Sequence, residues 1–303
     1  PDSLRKYDAL VALCDEEGVC TRPERLEAPD GRGVWIVPMA SWYHASWDRE
    51  PPLRVPPGLK LVVDPRKRHM TSDLSCCKWP PPLEHGTEAL AAAVDARNNV
   101  KHCTDAMLAI RLERAEASAT GGPPPAVISV SHMLPRQELL PEKRHLFMPT
   151  LHEIVGSRFL NARVEALRPD VHCFGHTHFA WDLSLPDASG NDPIRYVAWP
   201  LATPHEQARR VPYSHDKEAC KAWLPVPLWT AAMGWAADLG DCYFSDLYRQ
   251  RGRHPGSHAM AAYTAAIFCP GAPVDPMIPS SRGEVSEEER TASESSLRGQ
   301  VQR

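Results

Sequence analysis

Apolar residues recur along this chain at two spacings, and their alternation lays out the expected architecture. From Leu4 the spacing is helical: Leu4, Tyr7, Leu10, Val11 and Cys14 share one face. Asp2 or Ser3 stands where an N-cap belongs and Gly18 where a helix stops, which predicts a helix over 3–17. Residues 33–40 (GVWIVPMA) form an apolar run that predicts a buried strand, leading into the aromatic loop Ser41-Trp42-Tyr43-His44. Residues 48–86 follow neither period and are rich in proline and basic residues, so they are expected to be mostly loop. Thr87 caps a long helix expected to reach about Ala117, with Leu90, Val94, Met107, Leu108 and Leu112 toward the core and a break at Asn98-Asn99. The run Gly121-Gly122-Pro123-Pro124-Pro125 ends it.

Downstream, 126–131 (AVISVS) predicts a buried strand, 150–167 returns to helical spacing, and 170–174 is another short strand. Residues 178–185 and 194–199 predict two more strands joined by a turn. Strand and helix thus alternate to about residue 200, which argues an α/β fold. Residues 216–268 are expected to be helical, with Trp223, Trp229 and Trp235 as core residues at six-residue spacing. From 271 the chain is proline, serine and charge, and 282–303 has too little apolar content to order. The expected organisation is 1–215 as the α/β part, 216–270 as a helical extension and 271–303 as a disordered tail.

Composition narrows the function classes. The net charge of −4 over 303 residues lacks the basic excess of nucleic-acid binders, so nucleic acid is not an expected partner. Nine cysteines without a CxxC pair or regular framework suggest a reduced, intracellular and cytoplasmic setting. The most apolar stretch, 222–239, contains Pro225, Pro227 and Asp238 and makes a poor membrane span. No GxxxxGK[ST] loop, GxGxxG turn, GxSxG elbow or HExxH helix is present.

The chemistry concentrates at Asp170-Val171-His172-Cys173-Phe174-Gly175-His176-Thr177-His178-Phe179. A short apolar strand runs into Gly175, which permits close backbone approach, and two histidines follow one residue apart. In extended or turn geometry residues i and i+2 point the same way, so the two imidazoles converge as metal ligands do. His132 sits just after the strand at 126–130, and in α/β sheets ligand groups gather at the carboxyl ends of strands. His132, His176 and His178 are therefore the candidate metal ligands. The alternatives are a buried structural His132 beside two exposed turn histidines, or one zinc on His172, His176 and His178, with or without Cys173.

The strand–Ser131-His132 and strand–Gly175-His176-Thr177-His178 segments resemble the C-terminal half of the calcineurin-like metallophosphoesterases, over roughly 126–200. The resemblance implies a partial β-sandwich flanked by helices. It also implies hydrolysis of phosphoesters with two divalent metals (Mn, Fe, Zn or Ni), with His132 and His176 on the second metal and His178 on the first. The family's Asp-x-His, Gly-Asp and Gly-Asn-His segments do not precede the cluster. The carboxylate ligands and the histidine that assists the leaving group are therefore missing. The resemblance implies a chain that starts just after Gly-Asn-His, with no useful hydrolysis by itself. The alternative is a non-catalytic binding or regulatory module on the same fold.

Overall fold

The computed structural model describes residues 1–27, 32–67, 73–187, 190, 192–201, 225–237, 239 and 242–278. The expected disorder of 282–303, Trp223 and the segment 202–224 lie outside these residues.

The α/β expectation holds. Helix α1 (Ser3–Glu16) is capped by Asp2, whose side chain accepts from the Arg5 amide. Strand β1 (Glu24–Glu27) pairs antiparallel with β2 (Gly33–Pro38). Among its described residues the segment 48–86 is loop apart from one 3-10 turn at Pro65–Lys67 and a four-residue helix, α2 (Asp73–Cys76). Helix α3 (Glu88–Asp95) starts at the Thr87 cap, and the chain breaks at 96–98 before α4 (Lys101–Thr120). Strand β3 (Ala126–Val130), helix α5 (Arg158–Leu167), strand β4 (Val171–Cys173) and the hairpin β5 (Trp181–Leu185) to β6 (Ile194–Ala198) follow.

These strands make one six-stranded sheet in the order β1-β2-β3-β4-β6-β5. β2, β3, β4 and β6 run parallel, and β1 and β5 close the edges antiparallel. Parallel strands need both faces covered, and period-2 alternation supplies two apolar sets. Val37, Val127 and Tyr196 join the main core with Ile110 of α4 and Leu160, Val164 and Leu167 of α5. On the other face Val34, Ile128, Val171 and Val197 pack with Trp229 and Trp235.

Those tryptophans correct the helical expectation for 216–268. They lie on a two-stranded ribbon, β7 (Trp229–Thr230) and β8 (Gly234–Trp235), and face each other across it. Gly234 takes φ 74° beside the turn, a left-handed conformation that glycine adopts at no steric cost. The six-residue spacing is thus that of a hairpin pair. Among the described residues of this stretch the helices are α6 (Tyr243–Arg251) and α7 (Ala262–Phe268). Phe244 and Tyr248 of α6 stack on the fully buried Trp181 at ring distances of 6.1 and 6.2 Å.

Two further expectations are corrected. The helix over 150–167 is a 3-10 turn at 149–153 and then α5, interrupted at Gly156 and Ser157. Leu108 and Leu112 are exposed, because α4 turns its Ala106 and Ile110 face to the core.

The segment between β3 and α5 carries a dense ionic cluster. Arg144 pairs with Glu142 and with Asp275, each at 2.6 Å, and Arg251 reaches Asp275 at 3.0 Å. Lys143 pairs with Asp48 at 2.6 Å. Buried charge is tolerable only when paired in this way. The cluster joins 142–145 to the chain around α6 and α7.

Candidate functional site

The carboxyl ends of β2, β3 and β4 stand side by side, so the loops that follow them share one mouth. Each loop is tied down by its neighbour. The Asn98 side chain brackets Ala40, accepting from its amide at 2.8 Å and donating to its carbonyl at 2.9 Å. This is what the break between α3 and α4 does: it aims one buried amide at the loop after β2. The Met133 amide donates to the Ser41 hydroxyl at 3.3 Å, and the Gly175 amide to the His132 carbonyl at 3.2 Å.

His132 and His176 meet in this mouth. His132 Nε2 lies 3.0 Å from His176 Nδ1, and His176 Nε2 lies 3.1 Å from the Ile154 carbonyl. That carbonyl can only accept, so it places the proton of a neutral His176 ring on Nε2 and leaves Nδ1 bare toward His132. Burial lowers the His176 pKa to about 4, with help from His132, and burial lowers His132 as well. Both rings are thus held neutral, the form that ligates metals. His178 is exposed at the same mouth and acts on both rings electrostatically.

The i, i+2 geometry differs from the expected one. His176 and His178 both take left-handed backbone, φ 69° and 57°, while Gly175 does not. A Cβ on Gly175 would meet His132 Nδ1 at an ordinary 3.5 Å. The unusual conformation falls on the histidines themselves.

His172 has no place in a metal set, which overturns the one-zinc alternative. Ser129 Oγ lies 2.8 Å from its Nδ1 and Ser131 Oγ 3.0 Å from its Nε2. Ser131 donates to the Met133 carbonyl, so it accepts from His172 Nε2, and Ser129 donates to Nδ1. Strand parity turns this ring to the helix-covered face beside Tyr196. Asp170 is equally remote, capping the start of the sheet by accepting the Val127 amide at 2.8 Å.

Asp73 and Trp79 gave no signal in the sequence, whereas Trp42 and Tyr43 lie in the aromatic loop expected after β2. Asp73 is the carboxylate whose field raises the basicity of both His132 and His176. It also acts on the buried Tyr43 hydroxyl, whose pKa is raised first by burial and then by Asp73. Trp42 stacks on Tyr43 at 5.2 Å and meets Trp79 edge-on at 4.9 Å. Trp42 Nε1 and Thr177 Oγ1 are buried and have no hydrogen-bond partner among the described residues. Nothing in the spacing of 48–86 marks Asp73.

The nearby His44, Ser46 and Glu88 do not form a nucleophile. The Arg158 amide donates to His44 Nε2 at 3.1 Å, which puts the ring proton on Nδ1, facing Ser46 Oγ at 2.9 Å. The Ser46 proton is committed to Glu88 at 2.6 Å, so no base is left to activate the hydroxyl.

For a metal the fit is partial. Two imidazole nitrogens sharing a tetrahedral ion at about 2.1 Å stand roughly 3.3 Å apart, near the 3.0 Å found. Among the described residues, however, no three His, Cys, Asp or Glu side chains come together closely enough to hold a metal ion. A two-metal centre therefore does not fit the described residues.

A cleft of about 860 Å³ opens from His132 and Ser131, between α1 and the loop after β2. Among the described residues no helix is long and apolar enough to cross a membrane.

No family model matches the chain, and no curated protein matches it. Among solved structures it is similar to the phosphopantetheinyl hydrolase PptH from Mycobacterium tuberculosis, at 20% identity and a TM-score of 0.42, over 76% of this chain and 70% of that one. These findings correct the resemblance drawn from the histidine motifs. No family model takes in Ser131-His132 or Gly175-His176-Thr177-His178, so the chain is not assigned to the calcineurin-like group as its C-terminal half.

Proposed function

We propose that the mouth at the ends of β2, β3 and β4 binds a phosphoric ester together with one divalent cation, in the service of ester hydrolysis. The observation that carries this reading is the meeting of His132 Nε2 and His176 Nδ1 at 3.0 Å, with the outer nitrogen of His176 held by the Ile154 carbonyl. His176 Nδ1 is bare, and His132 Nε2, which donates to it here, can give up that proton to a cation; two such imidazole nitrogens suit Zn, Mn, Fe or Ni. When bound, the cation supplies positive charge for phosphoryl oxygens and lowers the pKa of a water molecule. The chain's own groups orient the rings, and the packed Trp42, Tyr43 and Trp79 rings limit water on one side. His178 stands exposed and near enough to both rings to act on them electrostatically.

A second reading, binding without turnover, is favoured by one observation: no third ligand completes the pair among the described residues. Manganese titration followed by electron paramagnetic resonance, with hydrolysis of an aryl phosphate and a bis-aryl phosphodiester, tests both. The expected result is one weakly held ion per chain, lost in His176→Ala, with turnover slow at best. Binding that His176→Ala leaves intact would overturn the site. Fast turnover abolished by that substitution would overturn the second reading.

A further inference from the structure

The cleft that opens on His132 is much larger than a phosphate group needs, and its walls are chemically unlike the mouth. Helix α1 has an apolar face by sequence, yet none of its residues is buried. Tyr7 and Val11, one turn apart, look into the cleft, and Met39, Val100 and Cys103 line it from the loop after β2 and from the start of α4. Its charged residues are spent on one another. Arg97 holds Asp8 with two bonds of 2.9 and 3.0 Å and lies over the Tyr7 ring, and Arg22 pairs with Asp15. The Asn98 amide is consumed by Ala40. What remains is a partly apolar trough with the His132 imidazole at one end and the exposed His102 imidazole in its lining.

We infer that this trough receives the alcohol part of the phosphoester, and that the ligand class is therefore an ester with a large apolar or ring-bearing group rather than a small phosphate monoester. The inference rests on the reading of His132 and His176 as the phosphoryl end of the site. Three observations point to this occupant. The trough is continuous with the mouth, since His132, Ser131 and Ser41 line both. Its volume of about 860 Å³ lies in the range of small-molecule sites, which are mostly apolar with a few placed polar groups. Among the described lining residues Arg97 and Arg22 are paired, and the exposed His102 stands alone, whereas His132 has a second imidazole beside it, so the charged end of the ligand belongs at His132 and His176 and the uncharged end beside Tyr7 and Val11.

The probes are 2-naphthyl phosphonate, methyl phosphonate and 2-naphthol, none of which can be hydrolysed at a phosphoester bond. Binding to the full chain with added Mn²⁺ is followed by naphthyl fluorescence and calorimetry. Naphthyl phosphonate should bind at least tenfold more tightly than methyl phosphonate. Val11→Trp and Cys103→Trp, which fill the trough from opposite walls, should each weaken naphthyl phosphonate about tenfold and reduce that preference; circular dichroism and melting temperature check that the variants fold. His176→Ala should remove the advantage of naphthyl phosphonate over 2-naphthol while leaving 2-naphthol bound. If His176→Ala leaves that advantage intact, the phosphoryl reading fails while the trough stands. If both tryptophan variants keep wild-type preference, or if naphthyl phosphonate does not bind, the trough is not the ligand site.

Discussion

His172 shows how far a single side chain can be from the role its neighbours suggest. It lies two residues from the Gly-His-Thr-His segment, yet both ring nitrogens are taken by Ser129 and Ser131 inside the core. Burial alone drives its pKa down to about 3, and the buried His152 is likewise lowered to about 3, mainly by burial. The sign follows from the unfolded chain, where an imidazole takes its proton near pH 6.5. Stability from these neutral rings is complete above pH 6.5 and is lost as pH falls from there toward the folded pKa. The loss is up to about 1.4 kcal/mol per pH unit for each ring. Urea unfolding at pH 7 and pH 5 should therefore show a drop of roughly 2 kcal/mol per histidine. His172→Gln, which can still bond both serines, should shrink that drop; an unchanged pH dependence would show that His172 is protonated in the native protein. At this scale the sequence was only half legible. The carboxyl-end position of His132 and His176 followed from strand and motif, but tautomers, the left-handed φ of His176 and the approach of Asp73 depend on contacts across 22 residues or more, which no local spacing records.

At the scale of elements, the parallel strands and the capped helices were the most legible, because period and cap lie in adjacent residues. Thr87, Asp2 and the glycine–proline stop at 121–125 each act within one turn of their helix. Which face of α4 is buried was not legible, since Leu108, Ile110 and Leu112 differ only in what packs over them. The stretch just before α5, 150–157, was misread as helix, and Gly156 shows why it is not one. A Cβ there would stand 2.2 Å from Trp47, whose ring is buried against this backbone. The glycine is needed for space. Its carbonyl also accepts the His44 amide at 3.2 Å, and two residues earlier the Ile154 carbonyl holds His176. Gly156→Ala should cost roughly 1–3 kcal/mol, as overpacking of a core does, and should also weaken manganese binding by displacing Ile154. Thermal melting and a metal titration on the same sample check this; lost stability with unchanged metal affinity would separate the packing from the site.

Over the whole molecule, two kinds of cohesion can be distinguished. The sheet, α5 and α6 share one apolar core, and the ionic cluster around Asp275 fastens the last described segment to it. His145, then Arg251 and Arg144, hold the Asp275 carboxylate well below the usual range, so this contribution is present above the ordinary carboxylate pKa and fades only in strong acid. Asp275→Ala leaves Arg251 without this partner and Arg144 with Glu142 alone, and should cost about 3–5 kcal/mol in denaturant unfolding. A loss under 1 kcal/mol would mean that the cluster is solvated. Helix α1 has no such anchorage. The Arg97–Asp8 and Arg22–Asp15 pairs, with the hydrogen bonds between Ser3 and Lys78, hold it where packing does not. Charge pairs near the surface weaken as counter-ions crowd in, whereas apolar burial does not. The ionic strength of the medium should therefore act on one wall of the molecule and spare the rest. Limited proteolysis should cut within 3–16 faster in 1 M sodium chloride than in 0.05 M, while the melting temperature barely moves. Equal cutting rates would mean that contacts other than charge keep the helix in place.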